Sequence, residues 1–179
     1  MSLTPAWAPN LHPLLVHFPI TLLIAAIMVD LTNLLMPTRP AVRETATLLY
    51  CIGSLLAMAA YFSGLDAAKA MLVSPATGIA LTDHFTWADR TTWFFVFFAS
   101  VRLAASYIWR PTNSWIMVGM FSLAVVGVGL LVLTADRGGR LVFYHGLGVA
   151  TVPIYKEQPW TLPDRSHIIP EIAPRKHGS

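Results

Sequence analysis

Residues 14–36 read LLVHFPITLLIAAIMVDLTNLLM. A helix needs about 20 predominantly apolar residues to cross the hydrocarbon of a bilayer, and this run is long enough. It contains Asp30, the first Asp, Glu, Lys or Arg in the chain. The basic start and small-residue cleavage site of a signal peptide are missing, so a retained helix is expected. Pro13 suits a first helical turn. Pro19 lies deeper and is expected to kink or loosen the first two turns.

Working outward, three further apolar runs follow. The second is expected at residues 45–64, with no charge between Thr45 and Leu65. The third is expected at 91–109, with Arg102 its one internal charge. The fourth is expected at 114–135, uncharged, with Gly119, Gly127 and Gly129 permitting close helix contact. Trp87, Trp93, Trp109 and Trp115 fall at the expected interfaces. The composition agrees: 55% of the 179 residues are hydrophobic and 12% are charged. A soluble domain carries roughly 25% charged residues, so an ordinary soluble enzyme is excluded. The single cysteine, Cys51, rules out an intrachain disulfide framework and cysteine-held clusters. The net charge of +3, without a basic stripe, gives no footprint for nucleic acid.

The expected fold is therefore all-α: an integral membrane four-helix bundle over residues 1–150, with both termini on one side. Residues 151–179 hold five prolines and are expected to form an extended tail outside the membrane, free or lying along a partner subunit. Arg39, Arg43 and Arg110 lie in the short connections of the other side, which places the termini in the periplasm of a bacterial inner membrane by a small margin. Asp30 and Arg102 are at similar depth, so an ion pair between them competes with snorkelling of Arg102 to the interface. The chain is too apolar on that inner side to offer a transport path.

This topology gathers His12, His17, His84 and His145 at the outer end, although they are far apart in sequence. His167 and His177 fall in the tail. After the fourth span, Gly138 and Gly139 are expected to turn the chain, so that Leu141–Tyr144 returns along the surface and brings His145 over the bundle mouth. An imidazole within an apolar helix needs a partner. Such histidines can be satisfied by backbone groups, or they can ligate a metal. Two histidines from facing helices can hold a b-type haem axially. His17 and His84 are the expected axial pair, with His12 and His145 as further ligands or hydrogen-bond donors. Arg90, Arg137 and Arg140 are on the correct side to meet haem propionates.

The opening His12-Pro-Leu-Leu-Val-His17-Phe-Pro19 and the ending Gly138-Gly-Arg-Leu-Val-Phe-Tyr-His145-Gly-Leu-Gly148 resemble those of a bacterial family of four-helix membrane proteins of unknown function. Asp30, Gly64-Leu-Asp66 and His84 also match its pattern. The resemblance covers roughly residues 11–150. It implies that residues 70–82 are an insertion between the second and third helices. Family members are sometimes fused to Rieske or c-type cytochrome domains, which implies an electron-transfer setting.

Three functional readings follow. The first is a b-type cytochrome subunit passing electrons between a quinone pool and a redox partner within a larger membrane complex. The second is a non-catalytic accessory subunit, its histidines satisfied by backbone, water or the magnesium of a pigment. The third is a histidine-bound copper or zinc site. No complete catalytic set points to a stand-alone enzyme.

Overall fold

A computed structural model describes residues 11–35, 40–69, 72–108 and 114–148. The tail at 151–179, Arg39, Trp109 and Arg110 lie outside the described residues. The described chain is helical: α1 (His12–Leu15), α2 (His17–Leu35), α3 (Pro40–Lys69), α4 (Pro75–Ile108) and α5 (Ser114–Phe143). α1 and α2 together form the first apolar helix. Contacts run from α2 to α3, α3 to α4, α4 to α5 and α5 back to α2. That closed cycle puts α2 and α4 on one diagonal and α3 and α5 on the other. His12–Leu35, Pro40–Lys69 and Ser114–Phe143 are long and apolar enough to cross a membrane. α4 is not among these three. Its first half carries Asp83, His84, Asp89 and Arg90.

Pro19 loosens the first turns as expected, while several other sequence expectations need correction. The first helix is interrupted at Val16, three residues before Pro19. Proline has no N–H to give to residue 15, and its ring crowds that carbonyl. The next bond, from Ile20 N–H to Val16 O, is stretched to 3.5 Å. The second helix, expected at 45–64, is longer at both ends. The third begins at Pro75, well before the expected residue 91, so His84 lies inside it. Residues 75–82 extend this helix and are not part of an interhelical loop. The fourth continues through Gly138 and Gly139 to Phe143, so the paired glycines do not turn the chain. The turn comes at Gly146, whose φ of 64° suits glycine. Its N–H bonds to Val142 O at 3.1 Å, and the N–H of Leu147 bonds to Leu141 O at 3.0 Å, capping the helix.

The core holds Leu23, Ala26, Ala46, Tyr50, Phe95, Phe98, Ala99 and Ala124. Alanines bring the backbones close, which is how helices gain packing energy where lipid is the competing environment. Phe94 and Phe98 stack, while Phe94–Phe95 and Tyr50–Phe98 meet edge to face. Interhelical polar bonds add direction. Ser54 Oγ reaches Phe95 O at 3.0 Å, and the hydroxyls of Thr91 and Thr134 are 2.7 Å apart. Large apolar side chains such as Phe18, Met28, Leu55, Phe97 and Val132 point outward, on every long helix. A soluble monomer rarely exposes so much apolar surface; against lipid it is ordinary.

The Tyr50 hydroxyl is buried without a hydrogen-bond partner among the described residues. Removing such a group relieves its desolvation cost, about 1–3 kcal/mol. Tyr50→Phe is expected to leave stability unchanged or to raise it in a detergent unfolding titration. A clear loss would mean that the hydroxyl has a partner in the membrane.

Candidate functional site

One end of the bundle is formed by α1, the end of α3, the start of α4 and the end of α5. His12 opens α1, directly before Pro13. Its Nδ1 is 2.9 Å from Ala60 O and 3.3 Å from Ser63 Oγ, both on α3. A carbonyl can only accept, so Nδ1 carries the proton. In the neutral ring the lone pair is then on Nε2, the usual arrangement of a ligating histidine. Gly64 is the reason the ring fits. A Cβ there would lie 2.9 Å from His12 Cε1.

His84 occupies the corresponding place on α4. It is half-buried, and it packs on Gly138 of α5, where a Cβ would lie 3.1 Å from its Cε1. The Thr134 carbonyl approaches the ring. Nδ1 nevertheless has no partner of hydrogen-bonding geometry. His12 and His84 lie within electrostatic reach of each other. They come from the two diagonally opposed helices and are flanked by a glycine from each of the other two.

The other two expected histidines are placed differently. His17 is exposed on the outer face of α2, beside Phe18, and its ring has no hydrogen-bond partner among the described residues. His84 therefore shares its end of the bundle with His12, while His17 faces outward. His145 is exposed just beyond α5, where Nδ1 lies 3.3 Å from Thr77 Oγ1 at the start of α4. It ties these two helix ends together and does not return over the bundle mouth. No group of three or more His, Cys, Asp or Glu able to hold a metal ion occurs among the described residues.

Arg90, Arg137 and Arg140 share the His12 end, as expected, but two of them have acidic partners. Arg137 Nε lies 2.8 Å from Asp83 Oδ2, and Arg140 Nε lies 3.0 Å from Asp136 Oδ2. The indole of Trp87 takes Arg137 at 4.5 Å and Arg90 at 5.1 Å from its centroid. Asp83, Trp87 and Arg90 are spaced by four and three residues, so one helix face presents all three. Reading α4 back to Pro75 would have revealed this cluster in the sequence.

A model of predicted membrane proteins, DUF2231, matches residues 8–151. The chain belongs to this family. The match takes in all four long helices and every residue described above. Comparison with curated proteins and with solved structures gave no match. Membership of DUF2231 establishes a membrane protein in contact with lipid and assigns no reaction to the histidine pair.

Proposed function

We propose that the chain is an electron-transfer subunit of a larger membrane redox complex, in which His12 and His84 hold haem b near the periplasmic face. The observation that carries this reading is the convergence of two imidazoles from diagonally opposed helices. Copper and zinc sites generally take three or four ligands from protein. A haem supplies four nitrogens itself and asks for two axial groups. The pair also fits in detail: the Ala60 carbonyl fixes the His12 proton on Nδ1, the tautomer of a ligating histidine. Bound there, haem would supply one-electron chemistry, with a quinone pool as one source of electrons. The chain's own part is to orient the two imidazoles through Ala60, Ser63, Gly64 and Gly138. Arg90, exposed and held by Trp87, is the cation best placed to meet a propionate, because Arg137 and Arg140 already have carboxylates.

The test is a reduced-minus-oxidised spectrum of the purified full chain, with iron measured on the same sample. His12→Ala and His84→Ala are each expected to abolish the b-type α-band, while His17→Ala and His145→Ala keep the full haem content. A wild-type sample without iron overturns the reading, as does full haem retention in His12→Ala and His84→Ala. Stoichiometric copper or zinc in place of iron would transfer the pair to that metal. A cofactor-free accessory subunit is the second reading. It is favoured by the close seating of both rings on Gly64 and Gly138, which satisfies packing without a ligand.

A further inference from the structure

The end opposite the histidines contains a second polar site. A cavity of about 40 Å³ opens there, with Asp30, Asn33, Arg43, Thr47, Arg102 and Ser106 among its walls. Asp30 and Arg102 form a bidentate pair, with Nη1 to Oδ2 at 2.7 Å and Nη2 to Oδ1 at 2.9 Å. Their side chains are only 5% and 7% exposed, respectively. Both carboxylate oxygens therefore face Arg102, and Arg43 adds a second guanidinium-bearing side chain to the wall.

We propose that this cavity takes a phosphate oxygen, supplied by the headgroup of an anionic phospholipid. Charge is the first argument: two guanidinium groups line the cavity against one carboxylate. Hydrogen bonding is the second. Arg102 Nε is buried with no partner among the described residues, although both Nη atoms are engaged. Asn33 is 5% exposed, and its Nδ2 contacts only the weak acceptor Met117 Sδ, at 4.0 Å. The walls have donors to spare, so the ligand must bring acceptors and negative charge. Depth is the third. Arg43 lies in the first turn of α3, and Arg102 in the last two turns of α4. A site one or two turns inside the helix ends is level with the boundary between headgroups and acyl chains. Ile116 both lines the cavity and is exposed at 44%, so the polar site is continuous with the lipid-facing surface. The cavity has room for an oxygen-sized group.

The experiment uses delipidated full-length protein in detergent, with native mass spectrometry and thermal unfolding. The probes are phosphatidylglycerol, phosphatidylcholine and inorganic phosphate. Phosphatidylglycerol is expected to be retained selectively and to raise Tm. Arg43→Gln should weaken its retention about tenfold, the weight of one charge-assisted hydrogen bond. Ser106→Leu fills the cavity while leaving the ion pair in place, and it should have the same effect. It decides the matter if Arg43→Gln does not fold. Equal retention of the two lipids overturns the proposal, as does unchanged phosphatidylglycerol binding in Ser106→Leu. Stabilisation by inorganic phosphate that also displaces the lipid overturns the lipid assignment and makes this a free-phosphate site. Haem content does not enter either measurement.

Discussion

Arg102→Ala is expected to destabilise the folded protein by about 3–5 kcal/mol, the usual cost of removing one partner from a buried ion pair. The loss comes mainly from what remains. Asp30, 4% exposed, would keep its charge in an apolar surround or take up a proton there. Arg102 also lies over Tyr50, at 5.0 Å, and over Phe98, at 5.9 Å, so its removal strips two aromatic faces as well. The double variant Asp30→Leu/Arg102→Met removes both charges and fills the volume. It should recover most of the loss, because well-packed apolar replacements of buried pairs are often neutral or better. Unfolding in mixed detergent, followed by circular dichroism, compares the three proteins. If Arg102→Ala unfolds with the wild type, the pair does not hold α2 to α4.

Gly127→Leu is expected to have the next largest effect. A Cβ at Gly127 would already lie 2.5 Å from Phe94 Cε1 and 2.8 Å from Phe95 Cζ. Phe95 is fully buried, and Phe94 is stacked on Phe98. Neither ring can swing aside without disturbing the core. Overpacking of this kind costs about 1–3 kcal/mol, and a leucine demands more room than a lone Cβ. Gly129→Ala is the internal control. It lies two residues along the same helix, where an added Cβ meets nothing within 4 Å. That change should be neutral or stabilising, since alanine is the better helix former by about 1 kcal/mol. The same unfolding titration checks both variants. Equal behaviour of the two would mean that α5 does not seat on Phe94 and Phe95.

The helices were legible because a bilayer demands long uncharged runs, and residues 45–65 and 114–135 have no other ready interpretation. Helix ends were not, because the same rule ignores helix that continues into water. The charges at Asp83, Asp89 and Arg90 read as a boundary, yet the backbone has no reason to stop there. Gly138 and Gly139 read as a turn because glycine is a poor helix former. Gly138 instead makes room for the His84 ring, a tertiary contact with no local signature. The equal depth of Asp30 and Arg102 made their pair readable, and the structure joins them. Thr47 and Ser106 are not legible because single polar residues on two different helices carry no motif. The choice of His17 over His12 rested on depth within the apolar run. Five residues, about 140° of helix, separate His17 from His12, so the two cannot face the same neighbour.

The length of α4 has a consequence for where chemistry could take place. At about 1.5 Å per residue, its 34 residues reach about 51 Å, against roughly 30 Å of hydrocarbon. The surplus falls at one end. On α4 the ionisable side chains resume at Arg90 and continue with Asp89 and Asp83. His84 stands six residues above Arg90 along α4, about 9 Å nearer the water. The start of α4 thus forms, with His12, a rim beyond the most apolar stretch of that helix. A water-soluble protein could approach that rim without entering the bilayer.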